Sequence, residues 1–232
     1  MRVVVTRPHA DSERTAAALE RLGHEALVAP LMRIEPVDAD LAGRWSSIAI
    51  TSANAPAAIA GHAGGVALTR LPVFAVGARS AEAAKHAGFA DVSSANGDVN
   101  DLVRLIAARC AGAKTPLLYL AGEDRAADLV AELSARGVVA EMRVVYRAVP
   151  VPFPTVLAAA LEAGDVDAVL HFSRRSAELF VSGARAAGVA GPALDVRHLC
   201  LSAQVAEALA GAGRVAIAAR PDEAALINLL QA

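Results

Sequence analysis

The sequence predicts an α/β protein built on parallel sheets, and three observations carry that prediction. Short apolar runs alternate with longer Ala-rich amphipathic segments along the whole chain, the pattern of strands covered by helices. Residues 47–59 (S-I-A-I-T-S-A-N-A-P-A-A-I) read as a buried strand, a tight turn and a helix capped by Ser52 or Asn54. Residues 167–180 (D-A-V-L-H-F-S-R-R-S-A-E-L-F) repeat that grammar: a shift of 121 positions places Ser173 on Ser52 and Ser176 on Ala55. A second pair, residues 73–88 and 198–213, shares A-E-A and A-G at an offset of 125, which points to two related halves. At each such junction backbone N–H groups and the positive end of a helix face the space beyond the strand, where an anion is the natural occupant. A plain cap with no ligand is the other reading.

Taken in order, residues 3–5 form the first strand, Thr6-Arg7-Pro8 its turn and 11–22 a helix stopped by Gly23. A second strand runs over 24–28. Residues 31–40 alternate Met32, Ile34 and Pro36 with Arg33 and Glu35, as an extended, half-exposed strand does. After the junction at 51–54 comes the flexible G-H-A-G-G, then a strand over 71–76, the turn at Gly77 and a helix over 78–87. An edge strand is expected at 91–94 and a helix at 99–110 capped by Asp98 or Asn100. Residues 116–120 are a buried strand and 121–125 its turn; a helix over 126–136 stops at Gly137. A long alternating run follows over 138–149, bounded by the prolines of P-V-P-F-P. Helices over 155–163, 175–187, 203–212 and 222–230 then alternate with strands over 168–172, 197–201 and 215–218. About ten strands result, in two sets of five.

A length of 232 residues suits one large or two small domains, and 55% hydrophobic content is ample for real cores. Aromatics at 3% leave few platforms for stacking bases, and a net charge of −2 gives no pull toward nucleic acid or anionic membrane. Lysine occurs only at Lys85 and Lys114, so 20 of the 22 basic residues are Arg. That bias is compositional, or some of these planar forks bind carboxylates in bidentate fashion. Cys110 and Cys200 stand alone, with no C-x-x-C and no His at ligand spacing, a reduced, cytoplasmic pattern without structural zinc. The opening M-R-V-V-V-T-R-P reads as a strand rather than a signal peptide, and no apolar run approaches a membrane span. No G-x-G-x-x-G, G-x-x-x-x-G-K-[ST] or G-x-S-x-G follows any strand, so no nucleotide cofactor, metal or serine nucleophile is expected.

Six stretches, in this order, resemble the uroporphyrinogen-III synthase family. They are V-V-V-T-R-P at the start, I-T-S-A-N-A at 50–55, V-G-A-R-S-A at 76–81, Y-L-A-G-E-D-R at 119–125, R-V-V-Y-R at 143–147 and H-F-S-R-R-S-A at 171–177. The resemblance implies two Rossmann/flavodoxin-like parallel-sheet domains joined by a two-stranded crossover, the second domain inserted in the first. The outer domain then comprises 1–33 plus 147–232, the inserted one 35–145, with crossovers near 31–37 and 144–149. It further implies a cytoplasmic, monomeric, cofactor-independent lyase acting on the linear tetrapyrrole hydroxymethylbilane, with neither nucleic acid nor membrane as partner. The enzyme closes that chain with inversion of its last ring and loss of water.

The same resemblance singles out residues. Tyr146, matching the family's V-Y-[RQ] tyrosine, would donate a hydrogen bond or proton to the departing hydroxyl, or pack the crossover. Substrate carboxylates would meet the strand-end residues Thr51, Ser52, Ala53 and Asn54, the turn at Gly77 with Ser80, and Gly122, Glu123 and Arg125. Ser173, Arg174 and Ser176 would serve in the outer domain, with Arg7 and Arg147 as further cations. The family's outer I-G-x-x-T-A reads L-S-A-Q-V-A here, with Ser202 for the Gly and Val205 for the Thr, so Gln204 is the substitute donor. His171, at a strand end, reads as structural rather than as a base. The competing expectations are a non-catalytic two-lobed binder of a small anion and a degenerate relative that holds tetrapyrrole without turnover.

Overall fold

The computed structural model describes residues 1–62, 64–124 and 128–231. The chain starts with β1 (Arg2–Val5), α1 (His9–Arg21) and β2 (Glu25–Val28). α1 buries Ser12, Thr15, Ala16 and Leu19 at helical spacing. Gly23, at φ +79°, turns the chain out of it in the left-handed conformation that only glycine adopts freely. The chain then passes through β3 (Met32–Pro36) into a long inserted segment.

That segment holds β4 (Ile48–Ile50), α2 (Asn54–Ile59), α3 (Gly65–Leu68), β5 (Val73–Ala75), α4 (Ala78–His86) and β6 (Val92–Ser94). It continues with α5 (Val99–Cys110), β7 (Leu117–Gly122), α6 (Leu129–Ser134) and β8 (Ala140–Pro150). Asp98 caps α5 with a reciprocal box. Its carboxylate accepts from the N–H groups of Asn100 (2.8 Å) and Asp101 (3.1 Å), and Asp101 accepts from Asp98 N–H at 2.9 Å. α6 (Leu129–Ser134) ends two residues short of the expected 136, and residues 126–127 of that expectation lie outside the described residues. It starts at Leu129 because Asp128 accepts the Ala131 N–H at 3.1 Å and so fixes the first turn there. β7 runs on through Ala121 and Gly122, residues expected in a turn, because β8 pairs with it that far.

The remaining elements are α7 (Thr155–Glu162), β9 (Ala168–His171), α8 (Arg174–Ala186), α9 (Ala190–Asp195), β10 (Arg197–Cys200), α10 (Ala203–Ala206), β11 (Arg214–Ile217) and α11 (Glu223–Asn228). α9 and α3 are short helices absent from the sequence reading. α10 tightens into a 3₁₀ turn at Glu207–Leu209, and the chain leaves at Ala210 instead of continuing to residue 212.

The chain divides into two compact units, Met1–Arg33 with Val149–Ala232, and Ile34–Ala148. Arg147 therefore belongs with the inserted segment, where it pairs with Glu35, and not with the outer one. The first unit has a five-stranded sheet in the order β11-β10-β9-β1-β2, parallel throughout. Val3, Val5, Ala168, Leu170 and Leu199 pack on one face with Leu19 and Leu226; Val4 and Val169 pack on the other with Phe180 and Leu157. Burial on both faces explains why these strands read as continuous apolar runs without alternation. The second unit has six strands in the order β3-β8-β7-β4-β5-β6, with β8 to β6 mutually parallel. Its sixth strand, β3, belongs to the extended 31–40 run, which periodicity alone left without a partner and the family resemblance paired with 144–149. Among the described residues no helix is long and apolar enough to cross a membrane.

In each sheet the strand order reverses once. The first unit lays β2 on one side of β1 and β9 on the other; the second lays β5 on one side of β4 and β7 on the other. Open parallel sheets bind ligands outside the carboxyl ends of the strands at such a reversal. Thr6 and Arg7 follow β1, Phe172 and Ser173 follow β9, Thr51 and Ser52 follow β4, and Gly122 ends β7.

Candidate active site

In the second unit the reversal point collects four hydroxyls. Tyr119, on the fully buried β7, pairs in register with Ala49 of β4 and points its phenol to the Thr51 hydroxyl, 2.9 Å away. Tyr146 lies on β8 opposite Gly122, where the β7–β8 register shifts by a residue. The Glu123 N–H donates to the Tyr146 carbonyl at 2.9 Å and holds the two strand ends together. The tyrosine ring lies across Gly122: a Cβ there would fall 2.6 Å from Tyr146 Cζ and 2.7 Å from its hydroxyl oxygen. Only glycine leaves room for that ring position. Burial pushes the Tyr146 phenol above its ordinary pKa, the neighbouring Ser52 hydroxyl pulls it down and Tyr119 pushes it up again. The phenol is thus held protonated, as a donor, at neutral pH.

The turn itself differs from the cap expected in sequence. Ala53, in helical conformation, precedes a six-residue α2 with no side-chain cap. Ser52 Oγ instead accepts the Asn54 N–H at 3.2 Å within the turn, while Thr51 is drawn to Tyr119. Gly77 starts α4 with extended backbone and open space above its Cα, and no side chain caps the first turn. Ser80 is buried in that turn, inside the core of the unit. Glu123 is exposed, and Arg147 is exposed with both Nε and Nη2 on Glu35 Oε2, at 3.3 and 3.1 Å. Arg125 lies outside the described residues.

In the first unit the reversal point is occupied by a compensated ion cluster. The Arg7 guanidinium covers the Phe172 ring at 4.1 Å and reaches Asp11 (3.5 Å) and Glu223 (3.6 Å). Thr15 donates to Glu223 at 2.5 Å, and Arg14 meets both carboxylates. Burial lowers the Arg7 pKa, Glu223 raises it and Arg14 lowers it. Arg7 is therefore turned onto the protein's own carboxylates, and its charge is balanced before any ligand arrives. Glu223→Gln removes one of the two counter-charges while keeping an acceptor for Thr15. It should lower unfolding stability by about 1–3 kcal/mol, read as a lower urea midpoint at unchanged slope.

Ser173 and Ser176 are absorbed in the capping box of α8: Ser173 Oγ accepts Ser176 N–H (3.2 Å) and Ser176 Oγ accepts Ser173 N–H (3.3 Å). Arg174 is exposed and bridges Glu178 (2.9 Å) and Glu207 (3.2 Å). Gln204 is exposed at the start of the four-residue α10. His171 is fully buried, 3.0 Å from the equally buried His198, with Phe180 edge-on to both rings.

The sequence-based candidates thus include a hydroxyl cluster around Tyr146, a set engaged in caps and ion pairs (Arg7, Arg147, Ser173, Arg174 and Ser176), and the exposed Gln204. Sequence reading missed Tyr119 in the first cluster and Phe172, Asp11, Arg14, Thr15 and Glu223 in the second. Tyr119 sits in an apolar run and reads as core, Phe172 reads as the last residue of a strand, and Glu223 lies in the first turn of the last expected helix. The signals for Tyr119 were a hydroxyl in an otherwise apolar strand and its place at the head of the Y-L-A-G-E-D-R stretch.

Two parallel α/β units, one inserted in the other's chain and each with small polar residues at its strand reversal, define a discontinuous two-unit α/β protein. The family model described as uroporphyrinogen-III synthase HemD matches residues 13–228, and the chain belongs to the uroporphyrinogen-III synthase family. Its activity is that of tetrapyrrole synthesis: cyclisation of hydroxymethylbilane with inversion of the last pyrrole ring and loss of water. The fold is similar to that of the uroporphyrinogen-III synthetase from Helicobacter pylori 26695 (17% identity, TM-score 0.71, covering 100% of this chain and 99% of that one). It is also similar to a mutant uroporphyrinogen III synthase from the extremely thermophilic bacterium Thermus thermophilus (20% identity, TM-score 0.53, covering 100% and 98%). No curated protein matches the chain by sequence. The reading as a non-catalytic binder is not favoured.

Proposed function

We propose that the chain performs this cyclisation as a cofactor-independent, monomeric, cytoplasmic lyase, with Tyr146 as the group that assists departure of the hydroxyl. The observation that carries the proposal is the protonated phenol laid over Gly122 at the strand reversal, with Ser52 beside it. The substrate's terminal hydroxymethyl carbon loses its oxygen as water. The phenol donates a hydrogen bond to that oxygen as the C–O bond breaks, the pyrrole N–H gives up the proton that completes the water, and an electrophilic azafulvene is left. The substituted carbon of the last ring attacks it to give a spiro-pyrrolenine, from which the ring re-attaches reversed. Unguided, the same substrate closes to the un-inverted isomer, so the protein's main contribution is a held geometry. The backbone N–H groups of the first turn of α4, uncapped by any side chain, and the Thr51–Asn54 turn suit substrate carboxylates.

The test is to supply hydroxymethylbilane and separate the uroporphyrinogen isomers. The inverted isomer in excess is expected; the un-inverted isomer alone, at the spontaneous rate, would refute the proposal. Among the described residues no group of three or more His, Cys, Asp or Glu converges to hold a metal. Activity should survive exhaustive chelation and dialysis within about twofold of the starting rate. Recovery only on adding a metal or a nucleotide would overturn cofactor independence.

A further inference from the structure

Tyr119 poses a question that packing alone does not answer. It is buried in a strand whose other residues are apolar, so a phenylalanine would fill the same space without taking a hydroxyl out of water. A buried phenol is kept where its O–H has a partner, and here the partner is Thr51 at 2.9 Å, the first residue past β4. Thr51 is followed directly by Ser52, the residue beside Tyr146. After Ser52 the chain enters only the six-residue, uncapped α2. The Thr51–Tyr119 bond is therefore a side-chain tie between this turn and the buried centre of the sheet.

We infer that Tyr119 is a positioning residue for the cyclisation, acting through Thr51 to hold Ser52, and with it the phenol of Tyr146, in one place over Gly122. The inference rests on the reading of Tyr146 as donor. A site residue displaced by about 1 Å can lose on the order of a hundredfold in rate, so a tie at this point has leverage.

The chain contains two tyrosines and one tryptophan, which makes the test direct. Protein labelled with ¹³C at tyrosine Cζ gives two resonances, assigned with Tyr119→Phe and Tyr146→Phe. In Tyr119→Phe and, separately, in Thr51→Val, the Tyr146 resonance should shift, and its titration midpoint should change from that of the parent. Each variant should lose roughly tenfold in kcat, Tyr119→Phe with KM within about twofold, and the double variant should be no slower than the worse single one, because both cut the same tie. Far-ultraviolet circular dichroism and the thermal midpoint identify any variant that fails to fold, and Thr51→Val then stands in for Tyr119→Phe. An unmoved Tyr146 resonance in both variants, or rate losses that multiply in the double variant, overturns the inference while Tyr146→Phe remains impaired. Parent-like turnover by Tyr146→Phe overturns the donor reading, and this inference with it.

Discussion

Tyr146→Phe should lower turnover at least tenfold, and by as much as about 10²–10⁴, while the thermal midpoint stays nearly unchanged. A positioned proton or hydrogen-bond donor contributes a factor of that order, equivalent to roughly 3–5 kcal/mol of barrier. The substitution keeps the ring that lies across Gly122 and removes only the hydroxyl. The Tyr146 side chain is half-buried and its carbonyl bond to the Glu123 N–H belongs to the backbone, so the fold is unaffected. KM should change little, since the lost bond is made to the leaving oxygen and strengthens as that bond breaks. Production of the inverted isomer by the Phe variant at near the parent rate would show that Tyr146 packs the long strand. Catalysis would then rest on geometry and backbone donors.

Acidification should destabilise the first unit between pH 6.5 and about 4, and the buried histidine pair is the cause. His171 Nε2 and His198 Nδ1 share one hydrogen bond, His171 Nδ1 has no hydrogen-bond partner, and the Ala193 backbone answers His198 in part. Protonating either ring would bury a charge, and on His171 it would leave the outer N–H unanswered. Burial, with the neighbouring His198 acting in the same direction, holds His171 well below the ordinary histidine range. Burial likewise brings His198 down to about 4, opposed in part by the Ala193 backbone. Both groups are depressed in the fold, so the unfolded chain binds protons first. Stability is full above about pH 6.5 and is lost as the pH falls toward the folded value. For His198 alone the loss between pH 7 and 5 is roughly 2 kcal/mol, with His171 adding in the same sense. Unfolding followed across that range should show the decline, and a His171→Leu/His198→Leu double variant should be flatter over it. A parent whose stability is level from pH 7 to 5 would contradict the assignment.

Much of the fold was legible because the forces that set it are local or periodic. Strands buried on both faces of a parallel sheet are apolar through their centres, so residues 3–5, Ile48–Ile50 and residues 168–170 stand out as short runs between helices. α5 was readable to its ends, since Asp98 and Asp101 close the capping box within four residues. The ordered family motifs carried the activity, because they report on the whole chain at once. What sequence left open is what distant segments do to one another. Periodicity alone gives the extended 31–40 run no partner; the family resemblance pairs it with 144–149, and the structure lays β3 beside β8. Ser52 and Ser173 look equivalent in sequence, yet Ser173 closes a capping box while Ser52 stays in a turn drawn to Tyr119, a contact spanning 68 positions. Arg7 reads as an available cation until Glu223 is brought beside it; the Thr15–Glu223 bond in the same cluster joins residues 208 apart. Caps, strand runs and helix faces were decided by neighbours along the chain, within reach of sequence. Charge compensation, hydroxyl partners and the room above Gly122 were decided by residues that only strand register and tertiary packing bring together.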